Sequence, residues 1–257
     1  METIVKYHDK SRIVREAYTV DDKGMKQGPY EQYFYDGVLS VRCNYKDDKL
    51  DGLYESYGAD GSLWVKCTYK DDKREGVYEH YYDNGKLREK TTYKEDRKDG
   101  PCEMYYNNGQ LLKKCTYRNG KYDGPYEDYY GNGQLTVKCT YKNGKMEGLY
   151  EEYHTNGKLA KKYTYKDGEK DGLCVGYDDK GRLDEVIYYK NGDTIDGKVA
   201  AEERFKVNDR LKGIAKQMKG SPLCKKVQRK AVADFRKDFP QKDEGRAPRK
   251  PRGNDGR

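Results

Sequence analysis

The chain has 257 residues, of which 34% are apolar and 38% charged, with a formal net charge of +8. Typical soluble domains are roughly 45–50% apolar, a deficit that would read as disorder, but 28 tyrosines supply apolar area with polar edges, which suits a thin, half-solvated structure better than a deep core. No run approaches the ~18 apolar residues of a membrane span, and the opening METIVKYHDKSR carries no apolar signal region, so the expected location is the cytoplasm.

In chain order, residues 1–27 read as a degenerate capping repeat, with Tyr7, Ile13 and Tyr18 at roughly the offsets of the units that follow. Seven full units then occupy 28–197. Gly recurs every 24 residues at 28, 52, 76, 100, 124, 148 and 172, and a second Gly follows each by nine, from Gly37 to Gly181. Tyr stands five residues after each lead glycine (Tyr33 to Tyr177), Leu eleven after (Leu39 to Leu183) and Tyr seventeen after (Tyr45 to Tyr189). A fixed period of this kind marks a repeat architecture. No segment of residues 1–190 offers a helical period, and the frequent glycines oppose one.

Each unit reads as two short strands and two tight turns. In the first six units the first turn carries Asn-Gly or Asp-Gly, such as Asn84-Gly85 and Asp36-Gly37, dipeptides that accept the positive φ angles of a type I′ hairpin turn. The second carries Asn119-Gly120, Asn143-Gly144 and Asn191-Gly192 but Asp47-Asp48 and Asp71-Asp72 in early units, where a different geometry is expected. A two-residue turn at Asn84-Gly85 sets Glu79 opposite Lys90. The same arithmetic pairs Glu31 with Arg42, Glu55 with Lys66, Glu103 with Lys114, Glu127 with Lys138 and Glu151 with Lys162, and both charges vanish together at Val175 and Val186. Opposite charges directly across a strand pair are favourable, so the sequence supports its own register.

Period-two alternation then assigns faces. One carries Tyr78, Tyr82, Leu87, Thr91 and Tyr93 in the unit from Gly76, and Tyr126, Tyr130, Leu135, Cys139 and Tyr141 in the unit from Gly124. The other carries the Glu–Lys pairs, the column Tyr33, Tyr57, Tyr81, Tyr105, Tyr129, Tyr153 and Tyr177, and Thr68 to Thr164. The candidate partner-binding residues are that column through Tyr153, with Tyr78, Tyr82, Tyr126 and Tyr130. About fifteen strands at roughly 4.8 Å spacing make a sheet some 70 Å long, too long for two helices of about 30 Å to cover. Either a strip of Tyr stays open for a partner, or the stripe packs on itself.

Cys43, Cys67, Cys115 and Cys139 share one column and Cys102 and Cys174 another. Neighbours within a column lie roughly 9–10 Å apart, beyond disulfide reach; only Cys102 and Cys115 face each other. Without CxxC or CxxH spacing no metal is expected, and the thiols read as small fillers of a thin sheet. His8, His80 and His154 are scattered, and no nucleophile, phosphate-loop or metalloprotease motif occurs. The expectation is a non-enzymatic chain with no cofactor.

Composition breaks near residue 197: residues 198–257 hold 19 Lys/Arg against 8 Asp/Glu, a net of +11, and no Tyr. Phe205, Leu211, Ile214 and Met218 keep a helical spacing, and Ser221-Pro222 opens a second helix with Leu223, Val227, Ala231, Phe235 and Phe239 on one face. Residues 198–240 are therefore expected to form basic amphipathic helices, and 241–257 a disordered basic tail. The helices could dock on the last hairpins, dimerise, or serve with the tail as an arm for nucleic acid or an anionic membrane through Lys225, Lys226, Arg229, Lys230, Arg236, Arg249, Lys250 and Arg252.

The unit from Gly124 to Gly144, read as G-x-Y-E-x-Y-Y-x-N-G-x-L-x-x-K-x-x-Y-K-N-G, resembles the MORN repeat in its bacterial variant form, over about residues 28–192. The resemblance implies an all-β repeat, a single-layer antiparallel meander used for binding rather than chemistry. Variant repeats of this kind also occur in YwqK-family antitoxins, so it further implies a protein partner, a toxin among the candidates.

Overall fold

A computed structural model describes residues 1–9 and 11–195. All 20 strands in that stretch belong to one antiparallel sheet. Strand β1 (Glu2–Tyr7) pairs with β2 (Val14–Val20), β2 with β3 (Lys26–Tyr33) and β3 with β4 (Leu39–Lys46), and the meander continues to Leu183–Lys190 and the short Asp193–Thr194. No helix occurs among the described residues. The helices expected in 198–240, the tail and every basic-arm residue named above lie outside them.

The charge-derived register is the observed one. Glu31↔Arg42, Glu55↔Lys66, Glu79↔Lys90, Glu103↔Lys114, Glu127↔Lys138, Glu151↔Lys162 and Val175↔Val186 are all direct partners. The first turn, however, is not the two-residue type I′ turn expected. Gly85 N–H donates to Tyr82 O and Tyr82 N–H to Lys86 O, both at 2.8 Å, so the loop has three residues, Asp83–Asn84–Gly85. Only Gly85 is left-handed, at φ 75°. Asn84 keeps an ordinary φ because its Oδ1 accepts the Lys86 N–H at 3.0 Å, a local bond that fixes a right-handed turn. A one-residue bulge follows, with Tyr81 opposite Leu87 but His80 opposite Glu89. Loop and bulge shift the pairing in opposite senses, which is why the wrong turn returned the right register. The bulge also sets Leu87 across from Tyr81, not in a simple alternation with Thr91 and Tyr93.

The type I′ turn is the second one, in every unit. Asn119 and Gly120 have φ of 50° and 78°, and Asp47-Asp48 and Asp71-Asp72 adopt the same pair of left-handed angles (51° and 63°, 48° and 64°), so the expected difference in geometry is absent. The acidic pairs hold this costly conformation through an added bond: Asp72 Oδ1 accepts the Leu50 N–H at 2.7 Å while Asp72 N–H donates to Leu50 O at 3.0 Å. In the glycine units the backbone bond remains, as from Gly120 N–H to Lys98 O, but the second turn residue offers no side-chain acceptor, and Asp99 Oδ2 accepts the Asn119 N–H at 3.3 Å.

The lead glycines sit in a third irregularity. Between Lys98↔Tyr93 and Cys102↔Thr91 the register jumps, and Gly100 there takes φ 122° with an ideal Cβ position only 3.0 Å from Thr92 Cβ. No side chain fits.

The core lies on one face of the sheet. Tyr18, Tyr30, Cys43, Tyr54 and Cys67 follow one another by direct pairing across successive strands, and Thr91, Cys102, Cys115, Tyr126 and Cys139 do so further on. Rings two and seventeen residues after the first three lead glycines meet over this row: Tyr30–Tyr45, Tyr54–Tyr69 and Tyr78–Tyr93 edge to face at 5.5–5.6 Å between centroids. Among the described residues six of the chain's seven cysteines are buried and free, and Tyr30, Tyr93 and Tyr163 are buried with them.

The paired roles of Asp72 can be separated. Asp72→Ala loses the side-chain acceptor and keeps an unfavourable φ, so it should destabilise by about 1–2 kcal/mol. Asp72→Gly loses the bond but relieves the backbone and should lie within about 0.5 kcal/mol of the parent. Thermal and urea melts followed by circular dichroism check the ranking.

Candidate functional site: the charged face of the sheet

The opposite face is organised in rows that cross the strands. Glu31, Arg42, Glu55, Lys66, Glu79, Lys90, Glu103, Lys114, Glu127, Lys138, Glu151 and Lys162 are successive direct partners, so charge alternates over twelve strands without interruption. Within each hairpin the ion pair closes at 2.9–3.4 Å.

The Tyr column stands beside this row, and each phenol donates to the carboxylate two residues before it. The Tyr33–Glu31, Tyr57–Glu55, Tyr81–Glu79, Tyr105–Glu103, Tyr129–Glu127 and Tyr153–Glu151 bonds span 2.6–2.9 Å. Each glutamate thus uses one oxygen for a cation and the other for a phenol. Burial, reinforced by the glutamate bond, pushes the phenols of Tyr81, Tyr105, Tyr129 and Tyr153 up to about 12; the Glu31 bond, with burial, raises Tyr33. Conversely the phenol and cation bonds hold Glu31, Glu103 and Glu127 below the usual carboxylate range, and the Lys90 bond leads for Glu79.

A third row was not recognised from sequence. The residue after each lead glycine is Pro29, Leu53, Val77, Pro101, Pro125, Leu149 or Leu173, two positions before the glutamate or its replacement and therefore on its face. Opposite them stand Asn44, Thr68, Thr92, Thr116, Thr140, Thr164 and Tyr188. Leu53, Val77 and Leu149 are 39–46% exposed, and the three prolines are exposed too. Proline is admitted at these positions because pairing with the preceding strand is already interrupted there. The available signal was the uniformly apolar residue at one fixed offset.

The ten tyrosines expected at the site divide between the faces. Tyr33, Tyr57, Tyr81, Tyr105, Tyr129 and Tyr153 lie on the charged face, half-buried, their hydroxyls held by glutamate. Tyr78 and Tyr126 join the packed rings of the core. Tyr82 and Tyr130 tie neighbouring first turns together, donating to Tyr105 O at 2.7 Å and Tyr153 O at 2.9 Å. His154 takes the same column position and reaches Tyr177 O at 2.9 Å, while His8 Nε2 lies 3.1 Å from both Tyr33 O and Phe34 O. Cys102 and Cys115 face each other as expected, both free; the thiol–thiol contact lowers Cys102 and raises Cys115. Among the described residues no cluster of three or more His, Cys, Asp or Glu could hold a metal ion, and no helix is long and apolar enough to cross a membrane.

A regular sheet with a packed aromatic face and a patterned charged face defines a β-hairpin repeat module. Six consecutive matches to the MORN repeat variant, at residues 26–47, 50–71, 74–95, 98–119, 122–143 and 146–167, cover just over half of the chain, which belongs to that family. Repeats of this family are non-catalytic modules that generally bind proteins or membranes. A comparison with curated proteins found no match.

The carboxylates give the face an acid limit. The folded values of Glu31, Glu79, Glu103 and Glu127 lie below the unfolded value of about 4.3, so the stability they contribute is present above that value and lost as pH falls through the folded values. The melting temperature should hold between pH 7 and 5 and drop below about pH 4. A Glu103→Gln, Glu127→Gln variant should start lower and fall less, as thermal melts across this range would record.

Proposed function

We propose that the chain is a non-enzymatic, cytoplasmic protein-binding module of the antitoxin or immunity type, and that its charged face meets the partner. The carrying observation is the exposed apolar row from Pro29 to Leu149, repeated once per unit beside fixed ion pairs. Apolar side chains supply desolvation energy at an interface. Charges already held by hydrogen bonds lose little freedom on binding, and their alternation sets partner orientation. The partner's protein class rests on the repeat family, and the antitoxin assignment on the likeness to YwqK-family repeats.

The test is affinity purification of the full chain from its source cells, followed by binding measurements with the protein recovered. A stoichiometric partner should bind the parent chain, and a Leu53→Lys, Val77→Lys, Leu149→Lys variant should bind at least about a hundredfold more weakly with its β-sheet spectrum unchanged. Equal binding by the variant would move the contact elsewhere. Recovery of no stoichiometric protein would remove the reading.

The net +11 of residues 198–257 favours a second reading, an electrostatic arm for nucleic acid or anionic membrane. Replacing Lys225, Lys226, Arg229, Lys230 and Arg236 by Gln in the full chain should then abolish binding to duplex DNA or anionic vesicles. The parent's affinity should fall steeply with salt; binding indifferent to both changes would refute the arm.

A further inference from the structure

Strand β1 is an edge of the sheet: among the described residues only β2 pairs with it. Edge strands are usually blunted by prolines, bulges or several charges; Glu2–Tyr7 has no proline, carries only Glu2 and Lys6 as charges, and stays in continuous register with β2 up to the shift between Lys6 and Tyr7, while Thr3, Val5, Lys6 and Tyr7 are all exposed, Val5 at 43% and Tyr7 at 54%. We propose that this edge binds the same edge of a second copy, antiparallel about Ile4, so that the two sheets join into one.

Backbone polarity restricts the choice of register. His8 N–H donates to Ile13 O at 3.0 Å, toward β2. Alternation along the strand therefore turns the groups of Lys6, Ile4 and Glu2 inward and those of Thr3, Val5 and Tyr7 outward. An added antiparallel strand must bond outward residues to outward residues, which leaves two-fold axes at Thr3, Ile4, Val5 or Lys6, the last of which sets Lys6 against itself. Centring on Val5 sets Lys6 against Ile4, and centring on Thr3 sets Glu2 against Ile4. Centring on Ile4 sets Glu2 against Lys6 twice, Thr3 against Val5 twice and Ile4 against itself. Only this register satisfies both charges, and a single patch that complements itself is what a two-fold dimer requires.

The same register continues the core. Ile4 is the direct partner of Tyr18, and Tyr18 of Tyr30, whose row leads on to Cys43. Ile4 against its symmetry mate would join the two aromatic faces without a break. Lys6 already contacts Glu16 at 3.0 Å but remains 46% exposed, leaving its ammonium room for a second carboxylate. One shared strand pair is a small interface, so the dimer is weak and concentration-dependent.

Sedimentation equilibrium of the full chain tests this. The mass should rise from the 30.0 kDa of one chain toward twice that with increasing concentration. Val5→Pro removes an outward N–H from each copy and leaves the inner ladder intact, and should raise the dimer dissociation constant at least about tenfold. Glu2→Lys, which opposes Lys to Lys6, should weaken the dimer comparably at low salt, both variants keeping the parent's β-sheet spectrum. A mass that stays at one chain throughout the concentration range would overturn the proposal, as would association of either variant with the parent's constant.

Discussion

Every side chain of a one-layer sheet has solvent on its own side of the layer, so burial has to come from neighbours in the same layer. That constraint selects residues able to lie over one another. The aromatic face meets it by setting small thiols and large rings in the same row: Cys43 between Tyr30 and Tyr54, Cys139 beside Tyr126. Each cysteine is small beside the flanking rings, which meet one another edge to face at Tyr30–Tyr45 and Tyr54–Tyr69 and tilted at Tyr126–Tyr141. Phenylalanine could supply the area, but a ring whose far edge meets water is better served by a hydroxyl. Tyr30 donates to Glu16 at 2.9 Å and Tyr126 to Asp128 at 2.8 Å, so both ends of the ring are accommodated.

Packing of this kind works only if the columns stay aligned, and that explains the unbroken 24-residue period. A one-residue slip sends every side chain to the wrong face. Each unit nevertheless contains a three-residue loop, a one-residue bulge, a two-residue turn and a glycine bulge, whose shifts must combine identically each time. The turns also carry the coupling between units. Asn84 Nδ2–H reaches Asn107 O and Tyr82 O–H reaches Tyr105 O on one margin, and Gly144 N–H reaches Tyr122 O on the other. A unit is thus bonded to the next along both margins as well as through its strands, the nearest-neighbour coupling from which stacked repeats derive stability.

The architecture was legible because its strongest signals are local and repeated. Glycine spacing gave the period, and matched loss of charge at Val175 and Val186 gave the register. The first turn is misleading in sequence because Asn-Gly occurs in both turns. What separates them is whether the Asn side chain caps the N–H two residues on, as Asn84 does for Lys86, and a dipeptide does not announce that. The candidate site was less legible. Tyrosine columns on the two faces look alike in sequence, yet Tyr78 is part of the core and Tyr81 is bonded to a glutamate, a distinction set by ring packing between hairpins. The Pro, Leu or Val after each lead glycine was visible throughout, but small apolar residues beside a glycine read as turn scaffolding until their exposure is known.

The division between the faces separates what holds the sheet from what it can present. The glutamate, its cation and its phenol recur in six units, and their hydrogen bonds leave the face little freedom to rearrange. The apolar position beside them changes from proline to leucine to valine along the chain without touching the thiol–tyrosine row beneath. Its side chains point away from the core and its backbone sits where ladder pairing is already interrupted, so a substitution there alters the surface at small cost to the fold. Neighbouring units repeat it every two strands, roughly 10 Å, which gives a line of independently variable apolar points held at constant spacing by an unvarying charged frame. A partner that spans several of those points gains affinity from each and orientation from the frame, and specificity can change one unit at a time.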